Sequence, residues 1–303
     1  MQAGHAIGVD LGGTKILSGV VARDGTVLRR HERPTPQDSQ EHVVAELEAA
    51  VAAVLDDSVA ALGFGVPSPI DQDRGIVVEC VNVPLVNAPL RNSMRERFGI
   101  PVGLDNDASA AAIGEWRVGA GRSTQNLVML TLGTGVGGGV ISGGKPYRGG
   151  IGSDPELGHV VIVHDGRPCQ GACTGRGHLE AYVSGKAVTA EAQEAFGPSA
   201  DAHRVVRLAN EGDEQAVELL VDVGRYLGSG VGSFVNVFGP ELFVLGGGFG
   251  VAAYDHLLVP VEEVLRREAL EPMRDGVRLV KAELGTAAGL IGAAFVGFEA
   301  LDA

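Results

Sequence analysis

The chain is poor in cysteine, with Cys80, Cys169 and Cys173 alone among 303 residues. An odd count with one close pair does not make the disulfide framework of a small secreted protein. The first residues, Met1-Gln2-Ala3-Gly4-His5, offer no basic segment followed by an apolar stretch, so no signal peptide is expected. No run of 18 purely apolar residues occurs, and no membrane partner is expected. These absences together lead to an expected cytoplasmic location. Basic residues are also scarce, 24 Lys and Arg against 38 Asp and Glu, for a net charge of −14. A duplex-binding protein should carry a basic stripe; none is visible, and no nucleic-acid partner is expected. An anionic ligand must therefore be held by local dipoles, backbone N–H groups and a metal ion rather than by overall attraction.

Two common nucleotide motifs are missing as well. No G-x-x-x-x-G-K-[ST] run exists, because Gly144-Lys145 is followed by Pro and Gly185-Lys186 by Ala. Gly133-Thr134-Gly135-Val136-Gly137-Gly138 fits G-x-G-x-x-G formally. That fingerprint needs a helix after the glycines, and Gly139-Val140-Ile141-Ser142 reads as strand instead.

What the chain has in excess is glycine, 46 residues without a collagen period or a low-complexity tract. The glycines gather in turns, which suggests backbone brought close to a ligand. Length alone suggests two domains. Ala6–Asp10 reads as a strand, followed by a glycine turn and a second strand over Ile16–Ala22. Asp24-Gly25 is a hairpin turn, with a third strand near Val27-Leu28. Helical spacing marks residues 40–56, Leu90–Phe98 and Ala108–Trp116, while Leu62–Val66 and Val102–Leu104 read as strands. The opening pattern then recurs, with a strand over Asn126–Leu132, a glycine turn over Gly133–Gly139 and a strand at Val140-Ile141. A duplicated fold is expected, divided near 108–120. Residues 185–238 read as mostly helical, Leu242–Leu245 as a strand, and Thr286–Leu301 as an apolar helix that returns to the first half.

Two glycine hairpins facing each other would suit a polyphosphate. Without side chains, backbone N–H groups can point at phosphate oxygens as an anion nest. Thr14 and Thr134 could add hydroxyl donors. Asp10 would be repelled by phosphate and would act through Mg²⁺ or its waters. Lys15 could reach a phosphate or pair outward.

Asp10-Leu11-Gly12-Gly13-Thr14-Lys15 resembles the first phosphate motif of the ROK family (repressors, open reading frames and kinases) in the actin-like ATPase superfamily. Leu132-Gly133-Thr134-Gly135-Val136-Gly137-Gly138-Gly139 resembles the second phosphate motif. Phe238-Gly239-Pro240-Glu241 with Val244-Leu245-Gly246-Gly247-Gly248 resembles the adenosine motif. The resemblance runs from residue 6 to about 297. It implies an actin-like (ribonuclease H-like) α/β fold with two α/β domains flanking a nucleotide and sugar cleft. The smaller domain would be 1–108, completed by a C-terminal helix at about 287–303, and the larger 109–286. It also implies ATP and Mg²⁺ as cofactors, and a homodimer.

An isolated Asp107 before a helix reads as an N-cap. The resemblance assigns it differently, because Asn106-Asp107 matches the family's Asn-Asp pair, in which Asp is the general base and Asn binds sugar. Asp105 stands where the family often has Glu and receives no role. Glu156, His159 and Glu180 resemble the sugar-binding residues of the family's glucokinases. Glucose is therefore the best single acceptor, with fructose, mannose, allose and N-acetylhexosamines open, and with polyphosphate open as donor. Gly65-Val66-Pro67-Ser68-Pro69 resembles a loop along the sugar, with Ser68 in place of Gly. The loop Asn82–Val86 lacks the Trp often found there, and Trp116 reads as core or interface packing.

Family members often carry three Cys that join the His of Gly-His around a structural zinc. This chain departs twice, with Cys169-x-x-x-Cys173 spacing and His178 in place of the last Cys. His159, Cys169, Cys173 and His178 still make an acceptable tetrahedral donor set. The alternatives are two reduced thiols, or His164 as a ligand. Cys80 reads as a small buried apolar residue. Two other functions compete with a hexose kinase. A sugar-responsive repressor would need a helix-turn-helix segment before the first strand, and a non-catalytic sugar-binding regulator would lack Asp107.

Overall fold

The computed structural model describes residues 4–150 and 155–303. The first half opens with three antiparallel strands, β1 (His5–Leu11), β2 (Lys15–Val21) and β3 (Val27–Pro34), followed by α1 (Gln40–Ala52) and β4 (Val59–Val66). A small sheet of β5 (Ile70–Asp71), β6 (Ile76–Glu79) and β7 (Val86–Ala88) comes next. Then come α2 (Leu90–Phe98), β8 (Val102–Asn106) and α3 (Asp107–Val118). The second half has β9 (Leu127–Leu132), β10 (Val136–Ser142), β11 (Lys145–Pro146) and a 3₁₀ turn at Leu157–His159. Helices α4 (Glu180–Val183), α5 (Gly185–Phe196), α6 (Ala202–Asn210) and α7 (Glu214–Phe238) follow. The chain ends with β12 (Leu242–Gly246), α8 (Gly248–Glu268), α9 (Met273–Gly276), β13 (Arg278–Lys281) and α10 (Ala288–Asp302).

The two large sheets share one plan. Their orders are β3-β2-β1-β4-β8 and β11-β10-β9-β12-β13. In each, the first three strands in chain order form antiparallel hairpins, and the remaining two join in parallel. This is the duplication expected from the repeated strand–turn–strand pattern. The third strand is longer than expected, running to Pro34. The small sheet and α8 have no counterpart in the sequence reading. Pro260 inside α8 argues against a helix when read from sequence alone.

The second glycine turn is also shorter than expected. Val136 already pairs with Leu132, so Gly137, Gly138 and Gly139 are strand residues. A Cβ at Gly137 would collide with the Ala108 side chain, and one at Gly139 with that of Ala112. These glycines let α3 lie close against β10.

Helix α10 returns to the first sheet, and the reason is a row of glycines. Gly19, Gly8, Gly63 and Gly103 stand in register across β2, β1, β4 and β8. A Cβ on Gly8, Gly63 or Gly103 would strike the carbonyls of Leu290, Ala293 and Val296 respectively. The bare row forms a trough into which α10 settles. On its other side α10 meets α3 backbone to backbone, where Gly292 abuts Ala110 and Gly114 abuts Ala288. α10 reaches the length and mean hydropathy of a membrane span, 1.2 over Gly285–Asp302, with 61% of that window buried. Its place between the first sheet and α3 accounts for that apolar character.

The chain crosses between the halves twice, at 119–126 and at 282–287. Glu115 on α3 is fully buried and serves both crossings. Its Oε2 accepts the N–H of Ala120 at 2.9 Å and of Glu283 at 3.1 Å, and its Oε1 accepts that of Leu284 at 2.7 Å. Trp116 packs in the adjoining core and donates its Nε1–H to the Thr124 carbonyl at 2.9 Å.

Filling the trough should be costly. Gly63→Ala should destabilise the protein by about 3 kcal/mol, the scale of overpacking a rigid core. Gly276→Ala, where a Cβ meets nothing within 4 Å, should stay within about 0.5 kcal/mol of wild type. Urea unfolding followed by circular dichroism checks both, and equal midpoints for the two variants would refute the trough.

Candidate active site

The first turn is held from behind. Gly12 N–H bonds the Lys15 carbonyl at 2.9 Å, closing the hairpin between β1 and β2. The Thr35 hydroxyl donates to the Gly12 carbonyl at 2.7 Å, and Gln37 Nε2 donates to that of Gly13 at 2.8 Å. Thr35 and Gln37 were not read from the sequence; they lie over 20 residues away, beyond any local motif. With these carbonyls engaged, Gly12, Gly13 and Thr14 present the outer face of the turn, and Thr14 is exposed. Lys15 turns outward to Glu32 at 3.0 Å, with more than half of each side chain exposed.

The second turn is held from α4 and α5. Gly133 N–H bonds the Gly135 carbonyl at 3.0 Å. Gly185 N–H bonds the Gly133 carbonyl at 2.7 Å, and Lys186 N–H bonds that of Thr134 at 3.3 Å. Glu180 Oε2 accepts the Val136 N–H at 2.8 Å and occupies the space a Cβ on Gly135 would need. Glu180 therefore touches the second turn directly. Gly246 and Gly247 lead into α8 at Gly248, and no side chain caps that helix. Its first N–H groups are free for an anion or for water.

Asp107 lies on the first turn of α3. The structure corrects the expected cap: Asn106 is the N-cap, its Oδ1 accepting the N–H of Ala108 at 2.9 Å and of Ser109 at 3.2 Å. Asp107 Oδ1 also accepts the Ala108 N–H, at 2.8 Å. The Asn106 side chain also hydrogen-bonds this carboxylate and lowers its pKa. α3 rests on both sheets, with Ala110 against Gly65 of β4 and Ala108 against Gly137 of β10. Asp107 thus stands where the two sheets come together.

The carboxylates here are perturbed. Burial raises the Asp10 carboxyl to about 6, helped by the negative charge of Asp107 and opposed by Lys15. Its oxygens lie against Gly289 in the first turn of α10. Burial also raises Asp107; hydrogen bonding to Ala108 pulls it down, and the Glu156 charge pushes it up. The Asp107 charge is thus felt at Asp10, and the Glu156 charge at Asp107. Cations at this site would relieve that repulsion. Glu156 is exposed and begins the 3₁₀ turn that carries His159.

Ser68 is reassigned. It is 3% exposed; its hydroxyl donates to the Pro69 carbonyl at 2.8 Å and accepts the Glu79 N–H at 3.0 Å. It braces its own loop and has no surface to offer a sugar. Its carbonyl accepts Asn106 Nδ2 at 3.5 Å. Cys80, in the same core, is 6% exposed, and burial pushes its thiol up to about 12.

His159, Cys169, Cys173 and His178 do come together, with ligating atoms all within 4.8 Å of one another. The two Nδ1 atoms are 3.1 Å apart; Cys169 Sγ lies 3.5 Å from His159 Nδ1, and Cys173 Sγ 3.6 Å from His178 Nδ1. Bonds of about 2.0–2.3 Å to a tetrahedral zinc place donors roughly 3.5 Å apart. The spacing fits. His164 is exposed and outside this group. The loop is closed by Val161 pairing with His178 and Pro168 with Arg176. Gln170 Nε2 ties it to the Glu180 carbonyl at 3.2 Å and to Ser184 Oγ, the cap of α5, at 2.5 Å.

The duplicated sheets, with α3 packed on strands of both, define an α/β protein of the actin-like ATPase class. More particularly, the chain belongs to the ROK family, whose model matches residues 6–298. It is 33% identical over 317 residues to the glucokinase of Streptomyces coelicolor, an alignment covering 98% of each chain. Among solved structures it is similar to a ROK glucokinase from Streptomyces griseus in complex with glucose and AMPPNP. That match has a TM-score of 0.84 and 34% identity, and covers 98% of this chain and 100% of that one. The ROK hexokinase from Thermus thermophilus matches with a TM-score of 0.83 and 36% identity, covering 98% and 99%.

The raised Asp10 carboxyl has a consequence for stability. Its folded value of about 6 exceeds the ordinary 3.8, so folding favours the protonated form. The stability this gives is complete below pH 3.8 and is lost as pH rises through 6. Without added nucleotide or Mg²⁺, Asp10→Asn should be more stable than wild type by about 2 kcal/mol at pH 7.5. The gap should shrink at pH 4.5. Denaturant melts at the two pH values test this, and a gap independent of pH would overturn it.

Proposed function

We propose that this chain is an ATP-dependent hexose kinase acting best on glucose, with Asp107 as general base. The observation that carries the reading is Asp107 itself, a carboxylate with a raised pKa at the start of α3, packed against Gly65 and close enough to Asp10 to raise its carboxyl, in a chain one-third identical end to end to glucokinases. The substrates would meet in a cleft between a smaller unit, 1–108 with the C-terminal helix, and a larger one, 109–286.

The two turns, Gly12-Gly13-Thr14 and Gly133-Thr134-Gly135, would cradle the phosphates through backbone N–H groups. The uncapped start of α8 after Gly246-Gly247 would hold the adenosine side. Lys15 belongs to this set only if it leaves Glu32. Magnesium bound with ATP would offset phosphate charge, and Asp10 would hold its waters. Asn106, Glu156, His159 and Glu180 would hold the sugar hydroxyls. Asp107 accepts the proton of the 6-hydroxyl as that oxygen bonds the γ-phosphorus. The bond from the γ-phosphorus to the β,γ-bridging oxygen breaks, and ADP leaves. Binding a hexose would also exclude water from Asp107, protecting ATP from hydrolysis. A structural zinc on His159, Cys169, Cys173 and His178 would hold the His159 turn and, through Gln170, Glu180. Assembly as a homodimer belongs to the same reading on the strength of the family resemblance.

A coupled ADP-release assay over a panel of hexoses tests the proposal. Glucose should give the highest kcat/KM, and Asp107→Asn should lower kcat roughly 100- to 10,000-fold. Because burial raises the Asp107 carboxyl, the acid limb of kcat should fall above the ordinary carboxylate range. No turnover on any hexose above the level of the variant would refute the kinase. Metal analysis of protein purified without chelators should give about one zinc per chain, lost in Cys169→Ala. Zinc well below that ratio, or unchanged in the variant, would refute the zinc site.

A further inference from the structure

One ion pair spans the two halves beside the proposed base, and it has no part in the chemistry described above. Asp105 is fully buried at the end of β8. Its Oδ2 accepts Arg148 Nε at 3.0 Å and Nη2 at 2.6 Å, and its Oδ1 accepts the Asn106 N–H at 3.0 Å. Arg148 follows β11, and the preceding Tyr147 N–H bonds the Val140 carbonyl of β10 at 2.8 Å. The guanidinium is therefore rooted in the second sheet and reaches into the first. Its Nη2 also donates to Glu299 of α10 at 3.1 Å.

The contacts form a relay. Arg148 grips Asp105; Asp105 holds the Asn106 backbone; the Asn106 side chain caps α3; Asp107 is the first residue of that helix. In the other direction Arg148 stands eight positions before Glu156 in the chain. A single pair thus ties the turn bearing the proposed base to the second sheet. A buried carboxylate needs both a partner and hydrogen bonds, and the forked guanidinium gives a fixed geometry that an ammonium would not. A point charge would neutralise Asp105 without fixing the distance between the sheets.

We propose that Arg148 and Asp105 are positioning residues that set Asp107 against the acceptor. The inference rests on the kinase reading for its catalytic consequence, but not for its structural content. Two sets of measurements separate them. In steady-state kinetics, Arg148→Lys, which keeps the charge and loses the fork, should lower kcat about 100-fold, the effect of a reacting group misplaced by about 1 Å. KM for ATP should stay within roughly threefold of wild type, because the phosphate turns are held by other residues. Asp105→Glu should retain more activity than Asp105→Asn, since it keeps the carboxylate. Glu299→Gln, which removes the charge facing Arg148 and Arg117 but leaves the Arg148–Asp105 fork in place, should leave kcat close to wild type.

The second measurement needs no turnover. In amide hydrogen exchange, Arg148→Gln should speed exchange across 104–110 and 155–159 together and leave 165–178 unchanged. If kcat in Arg148→Lys stays within roughly threefold of wild type, or exchange at 104–110 is unaltered, the positioning role is overturned. A wild-type protein that phosphorylates no hexose would sink the kinase reading, and the exchange result would still decide whether Arg148 fixes the Asp107 turn.

Discussion

The structure depends most on one carboxylate that performs no chemistry. Glu115 is buried and accepts three backbone N–H groups, from Ala120, Glu283 and Leu284. Those groups lie at two places where the chain passes between its halves, 119–126 and 282–287. A buried charge that accepts several N–H bonds is satisfied without a counter-ion. The same residue therefore sets where α3 hands over to β9 and where β13 hands over to α10. Both helices then pack on each other through Gly114 and Gly292, so the two crossings and the helix pair are one unit.

That arrangement explains why glycine was only half legible. The sequence reading took abundant glycine as a sign of ligand-facing turns. At Gly12, Gly13, Gly133 and Gly135 the structure agrees with a turn. At Gly8, Gly19, Gly63 and Gly103 the residue serves a different need, the approach of α10 to the sheet. These positions lie between residues 8 and 103, and their alignment exists only once the strands pair. Gly137 and Gly139 are the instructive intermediate. They continue the run of the second turn and look like part of it, yet they belong to β10 and make room for α3. A local run of one residue type cannot distinguish a loop from a strand whose neighbours crowd it.

The site was legible to a different depth at each residue. The order of strands, the duplication and the return of the last helix follow from hydrophobic period and repetition, and these are properties of local sequence. The four metal-ligand candidates were also legible, because their chemistry is restrictive even with altered spacing, and the loop brings them within bonding range. The cap was not. Asn106 and Asp107 are both good N-caps, and only the backbone decides; the cap is Asn106, so the helix starts at Asp107, one residue earlier than a cap at Asp107 would give. Ser68 failed for a related reason, since a hydroxyl in a loop beside the site can face the cavity or its own backbone, and here it bonds Pro69 and Glu79. Arg148 and Asp105 carried no signal at all, being 43 residues apart and meaningful only as a pair.

The acidic balance of the chain bears on how such a site can work. With a net charge of −14, and with the Asp107 charge raising Asp10 and the Glu156 charge raising Asp107, these carboxylates by themselves repel an anion. Attraction must come from groups that carry partial positive charge without adding a cation, namely the N–H groups of two turns and of the α8 terminus. Those dipoles are fixed by Thr35, Gln37, Gly185 and Lys186 from behind. A cation arriving with the nucleotide would lower the carboxyl values of Asp10 and Asp107 together. The site would then be electrostatically complete only when donor and metal are both present. Asp107 would reach its ionised, proton-accepting state most fully under the same condition. In that case the acidity which by itself repels an anion also ties the strength of the base to the presence of the phosphoryl donor.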